Sequence, residues 1–356
     1  MISIERLFSF CKGVFVKMGF SEEKAQKAAH VLLSADKRGI DSHGVARLSG
    51  YVKQWDMGKL QSQSQSQIIH QTPSTATLDG QAGLGLVIAQ EAMEIAIKKA
   101  QQVGTGWVAV QNSGHFGIAG YHAMLALPHD MIGIVTTHAS GLVAPTFSLE
   151  KLLGTNPFAV AIPALEEPPF VADFATTAVA YGKLQILQRK NEQALEGWMQ
   201  DANANPTTNP HAPKEGGALL PLGSTRLHGS HKGYALGAIA DILSGVLSGA
   251  NYGPWVPPFA TAGSTSERTP PVGKGTGHFL GAMRIDAFRE ADEFKRAMDH
   301  WIRTFRSAKA IEGEQVLIPG DPERILEEKR LLEGAPIHKA VMTDLEQLAQ
   351  RFEIPL

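Results

Sequence analysis

Gly83-Leu84-Gly85-Leu86-Val87-Ile88 opens the longest helical pattern of the chain and decides which nucleotide fold to expect. Its two glycines match the first two positions of G-x-G-x-x-G, but Ile88 fills the third. No Asp or Glu follows a strand at the distance that ribose recognition needs. The conventional dinucleotide fingerprint is therefore missing, and the glycines read as the entry to a helix over residues 84–103. Outward from it, strand and helix patterns alternate. Strands are expected at 107–110, 132–137, 158–162, 170–174 and 278–285, and helices at 119–127, 176–189 and 232–248. That alternation predicts an α/β layer arrangement in which mixed as well as parallel pairing is allowed.

The first sixty residues read differently. Leu7, Phe8, Phe10, Val14, Phe15 and Met18 form one helical stripe, Ser21 caps a second helix, and Asp41 starts a third. Residues 61–67 alternate Ser and Gln as a polar linker, and residues 191–229 and 251–277 are rich in Asn, Pro and Gly and read as loops. Asp286 is expected to cap an amphipathic helix carrying Phe288, Phe294, Met298, Trp301 and Phe305, and the last forty residues return to helix.

Composition narrows the function. A length of 356 residues suits two domains or one elaborated domain. The net charge of −2, with no Lys/Arg cluster, gives no electrostatic footprint for nucleic acid. The apolar run over 235–250 is broken by Asp241, Ser244, Gly245 and Ser248, as a buried helix would be, and does not read as a membrane span. The start Met-Ile-Ser-Ile-Glu-Arg-Leu lacks the pattern of a secretory signal, so a cytoplasmic protein is expected. Cys11 is the only cysteine, which removes internal disulfides and thiolate-rich metal sites. Thirteen histidines occur without H-E-x-x-H, so no metal is expected, and no G-x-S-x-G elbow is present.

Two constellations carry chemistry. In Asp41-Ser42-His43-Gly44-Val45-Ala46-Arg47, Asp41 and Ser42 read as N-caps, with Val45, Leu48, Val52 and Trp55 as the buried stripe. His43 and Arg47 then lie within about 40° of each other on one helix face. A proton donor beside a carboxylate-binding fork suits a small 2-oxo or 2-hydroxy acid; a solvated helix face is the alternative. In Asn112-Ser113-Gly114-His115-Phe116-Gly117-Ile118-Ala119-Gly120, His115 sits between strand and helix, where a helix N-terminus disfavours imidazolium and leaves a ring able to accept a proton. Its alternative is a turn histidine bonded to backbone. Asp173 ends a strand and reads either as an acceptor for ribose hydroxyls or as the N-cap of the next helix. Lys232 opens a helix and could meet a phosphate or carboxylate, or simply be solvated.

In chain order, Asp41-Ser42-His43-Gly44, Ser113-Gly114-His115-Phe116-Gly117, Leu153-Gly154-Thr155-Asn156-Pro157, Asp173-Phe174-Ala175-Thr176, His231-Lys232-Gly233-Tyr234 and Asp241-Ile242-Leu243-Ser244-Gly245 resemble the malate/L-lactate dehydrogenase family that lacks a conventional Rossmann fold. Its relatives include ureidoglycolate, sulfolactate and 2,3-diketogulonate dehydrogenases and the piperideine/pyrroline-2-carboxylate reductases. The resemblance implies a homodimer with a helical domain built from both chain ends (residues 1–70 and 315–356). A large mixed-sheet domain (71–314) of non-Rossmann type would bind NAD or NADP. It implies oxidoreduction of a small (S)-2-hydroxy acid and its 2-oxo acid. His43 and His115 would be the acid/base candidates, alongside Ser42. Arg47 would hold the substrate carboxylate with Thr155 nearby. Ser140, Asp173, Phe174, Ala175, Lys232, Pro319, Gly320 and Asp321 would contact the cofactor.

Two departures stand out. After Ala144-Pro145 the chain reads Thr146-Phe147-Ser148, where many relatives have a Trp-Gly-Gly-like turn. The imine reductases pair Ser-His with an acid on the helix after Asp173, where this chain offers Leu187-Gln188, so the hydroxy-acid reading leads.

Overall fold

The computed structural model describes residues 1–259 and 270–356. Three helices come first, α1 (Ile4–Lys17), α2 (Glu22–Lys37) and α3 (Leu48–Asp56). Ser3 and Ser21 cap the first two by accepting from the N–H groups of Arg6 and Lys24, and each such cap stabilises its helix by about 1 kcal/mol. β1 (Gln67–Gln71), β2 (Thr75–Asp79), α4 (Gly85–Val103), β3 (Thr105–Ser113), α5 (Ala119–Met124), β4 (Met131–Thr137), β5 (Phe158–Ile162), β6 (Phe170–Phe174) and α6 (Tyr181–Lys190) follow. Next come β7 (Met199–Gln200), β8 (Pro206–Thr207), β9 (Ala218–Leu219), α7 (Ser230–Asp241), β10 (Thr276–Arg284), α8 (Ala291–Arg306), α9 (Asp321–Glu333) and α10 (Lys339–Phe352).

The main sheet runs β1-β2-β3-β10-β4-β5-β6, and β8-β7-β9 form a small second sheet. Only β2 and β3 pair in parallel, joined by α4. Every other pairing in the main sheet is antiparallel. The expected mixed α/β class is therefore what the chain adopts. α4 and α5 pack on one face of the sheet, where Val108, Val110, Val135, Leu280 and Ala282 meet Ala89, Met93, Ala96 and Ala123 in one core. A second core joins α1, α2 and α3 to Leu345, Leu348 and Phe352 of α10, with Leu84 before α4 and Leu86 and Val87 in it also buried there. Both chain ends thus feed one cluster, and Ile2 pairs with Ala335 across it.

Four expectations need correction. The third helix does not begin at Asp41: residues 41–44 form a turn, Val45–Arg47 a single 3-10 turn, and α3 starts at Leu48. The capping acceptor comes from elsewhere, because Asp36 of α2 accepts from the Val45 N–H at 2.8 Å. The helix expected from residue 176 starts at Tyr181, since the Thr176 hydroxyl is drawn to the carbonyls of Thr155 and Asn156. The helix over 232–248 widens into a π-turn at Ile242–Val246, after Asp241 turns its carboxylate to the Gly253 N–H. Glu290, not Asp286, caps α8, because Asp286 is paired with Arg284.

Candidate active site

The turn before α3 is held from below. Asp36 accepts from Val45, and Gly44 is glycine because a Cβ there would collide with the Asp36 carboxylate. Arg330 of α9 donates to the Asp36 carbonyl and pairs with Asp41, tying the turn to the far end of the chain. Ser42 Oγ then lies 2.8 Å from His43 Nδ1, and Arg47 Nε donates to the Ser42 carbonyl at 2.6 Å. His43 and Arg47 become neighbours through this folded turn and not through helical spacing. Both Nη groups of Arg47 are left with no hydrogen-bond partner among the described residues.

The loop after β3 brings the second histidine to the same place. Gly85, at the start of α4, lacks a Cβ that would strike the carbonyls of Gly114 and His115. The glycines that mimic a nucleotide fingerprint therefore serve a close approach of helix to loop. The His115 ring stacks on His43 with centroids 5.5 Å apart and planes 23° off parallel. Its Nδ1 lies 2.7 Å from the buried Tyr51 hydroxyl. His278, in the central strand, bonds to Thr137 Oγ1 at 2.7 Å and Ser113 Oγ at 2.9 Å, fixing the strand end from which His115 departs.

Electrostatics follow from this packing. Burial, reinforced by the Arg47 charge, pushes His43 down to about 4. His115 is driven well below the usual imidazole range by burial and then by His43, Arg47 and His278. Both rings are therefore neutral near pH 7. Burial pushes the Tyr51 phenol up, so it stays protonated. The result is a half-buried guanidinium with an open fork, beside two neutral imidazoles.

A second set of candidates lies at the ends of β6, α7 and α9. Asn156 is its hub: Oδ1 accepts from Ala139, next to Ser140, and Nδ2 donates to the Gly237 carbonyl of α7. Gly154 lets the Ala139 carbonyl approach, and the Thr155 carbonyl accepts from the Thr176 N–H and hydroxyl. Asp173 accepts from the Gly120 N–H at 2.7 Å, so it caps α5 and not the helix that follows it. Burial raises Asp173 to about 6. Phe174 is exposed, Ala175 and Ser140 half-buried, and Lys232 exposed at the first turn of α7, which has no side-chain cap. The Pro319 carbonyl accepts from Val171 of β6, and Gly320 fits against Val171 with φ of 101°. Asp321 is taken up by the Ile318 N–H, Arg306 and Arg324. α6 joins this set to the His43 turn, since Gly182 abuts Ser42.

A carboxylate with one oxygen unpartnered among the described residues and a helix start with an ammonium and no side-chain cap suit the ribose and phosphate groups of a dinucleotide. By contrast, the described residues contain no group of three or more His, Cys, Asp or Glu placed to hold a metal ion. No described helix is long and apolar enough to cross a membrane.

The sequence profile of the malate/L-lactate dehydrogenase family matches residues 2–346. The chain belongs to that family. It is 41% identical over 349 residues to a malate dehydrogenase of Pyrococcus horikoshii, spanning 98% of this chain and 94% of the relative. It is 38% identical over 357 residues to a malate/(S)-sulfolactate dehydrogenase of Methanothermus fervidus, covering 100% and 99%. The crystal structure of malate dehydrogenase from Entamoeba histolytica superposes with a TM-score of 0.92 at 33% identity, covering 100% and 98%. An oxidoreductase family thus carries the resemblance read from the six motifs.

The sequence reading missed Tyr51 and Asp36, and it quoted Asn156 within a motif without giving it a role. Tyr51 had a signal, since it stands four residues after Arg47 in a helix. Asp36 had none, because its partner is nine residues away across a turn. Gln188, one of the Leu187-Gln188 pair read in place of the acid expected in imine reductases, donates to the Pro210 carbonyl and accepts from Lys214, so it is engaged away from Ser42 and His43.

Proposed function

We propose that this family member interconverts a small (S)-2-hydroxy acid and its 2-oxo acid with NAD or NADP. The observation that carries the reading is the open fork of Arg47 beside two neutral, stacked imidazoles. A guanidinium pairs with a carboxylate through two parallel bonds and so fixes both the position and the plane of the acid. With the carboxylate on Arg47, the C2 oxygen falls to an imidazole. His115 is the preferred acid/base: its Nδ1 is engaged by the Tyr51 hydroxyl at 2.7 Å and faces the Gly117 N–H at 3.4 Å, so Nε2 is the nitrogen left to exchange a proton with the C2 oxygen. In reduction the protonated ring returns that proton to the oxygen. Such assistance contributes on the order of 10²–10⁴-fold. His43, backed by Ser42, holds the second face of the stack and helps keep His115 neutral.

A bound nicotinamide would supply the hydride acceptor and donor for C2. Ser140, Asp173, Phe174, Ala175, Lys232 and the Pro319-Gly320-Asp321 turn would hold the dinucleotide, with Thr155 near the acid. Asp321 would act there by shaping the turn, because its carboxylate is already satisfied. A homodimer is part of the same reading. It is supported by an exposed apolar stripe of Tyr234, Ile239, Ile242, Val246 and Leu247 along α7 and its π-turn. Residues 1–70 with 315–356 are proposed as the helical domain and 71–314 as the sheet domain, in line with the core shared by both chain ends.

The test is a panel of 2-oxo acids and cyclic imino acids, offered with NADH and NADPH and followed by loss of reduced-cofactor absorbance. Turnover of 2-oxo acids is expected. Turnover confined to cyclic imines would replace this reading with an imine reductase, and no turnover of either would end it.

A further inference from the structure

One side chain lies against His115, Tyr51 and Arg47 together, and it belongs to none of the six motifs. Phe259 closes the stretch Gly253-Pro254-Trp255-Val256-Pro257-Pro258-Phe259. Its ring centroid lies 4.6 Å from that of His115 and 5.0 Å from that of Tyr51, and 5.9 Å from the Arg47 guanidinium carbon. It also packs against the core that seats α3.

We infer that Phe259 is the wall against which the substituent on C2 of the acid packs, so that this ring sets the size of side chain the enzyme accepts. The inference rests on the 2-oxo-acid reading above. A 2-oxo acid presents three groups around C2: the carboxylate, the oxygen and the side chain. Arg47 takes the first and an imidazole the second. The third must lie against what flanks both anchors, and of the side chains that do, Phe259 presents a wholly apolar ring. An apolar wall there selects by volume, and one methylene in such a pocket changes kcat/KM by about 10–200-fold.

Phe259→Ala and Phe259→Trp are assayed with pyruvate, 2-oxobutanoate and 2-oxo-4-methylpentanoate. The readout is the ratio of kcat/KM for the branched acid to that for pyruvate, relative to wild type. The Ala variant is expected to raise this ratio about tenfold or more, and the Trp variant to lower it. The Trp variant fills the site instead of emptying it, so the inference stays testable if the Ala variant fails to fold. Ratios within twofold of wild type in the folded variants, with wild type active on pyruvate, would overturn the inference and leave the 2-oxo-acid reading standing. Wild type inactive on every 2-oxo acid would overturn both.

Discussion

Arg47 and Asp321 both stand where a turn feeds a helix, and they differ in what answers their charge. Asp321 is met on all sides, by Arg306, Arg324 and the Ile318 N–H, and is buried within that network. Arg47 spends one N–H on the Ser42 carbonyl and keeps its fork open, with two neutral rings beside it and no carboxylate paired with it among the described residues. A satisfied charge holds the scaffold. A half-buried charge left without its counter-ion marks where an anionic ligand belongs.

If that contrast is right, substitutions around Arg47 change turnover while substitutions around Asp321 change stability. The largest effect is expected from His115→Asn, which should lower kcat by about 10²–10⁴-fold with an unchanged melting temperature. A loss under threefold would move the acid/base role to His43. Tyr51→Phe removes the partner of His115 Nδ1 and should lower kcat about tenfold, a loss in the range of one hydrogen bond to a ring that becomes charged. Asp321→Asn should instead cost about 1–3 kcal/mol of stability in chemical denaturation and raise KM for the cofactor through the turn it shapes, with kcat at saturating cofactor within about twofold. A large kcat loss there would erase the distinction.

The pH profile sharpens the same comparison. Oxidation needs a neutral imidazole, and both rings are held below their ordinary range, His43 at about 4. For oxidation of the hydroxy acid, kcat/KM should therefore stay flat as pH falls through 6.5 and decline only further down. Arg47→Met removes one of the charges responsible, so its acid limb should move to higher pH.

Much of the fold was legible because its signals are local. β5 and β6 appear at their expected limits, where short apolar runs are bounded by Pro157, Pro163 and Pro169. α2 begins at its Ser21 cap. The active site was legible in its residue types but not in its construction. His43 and Arg47 were expected to meet on one helix face. They meet instead because an aspartate from α2 and an arginine from α9 fold the turn between them. Phe259, brought to the same point from the far side of the sequence, had no local signal at all.

The most direct test of the central claim compares pyruvate with its uncharged methyl ester in wild type and Arg47→Met. Wild type should prefer pyruvate by about 10²-fold or more in kcat/KM, and the variant should lose that preference by losing pyruvate activity alone. An undiminished preference in Arg47→Met would mean that the substrate carboxylate is held elsewhere, and the account built on Arg47 would fall.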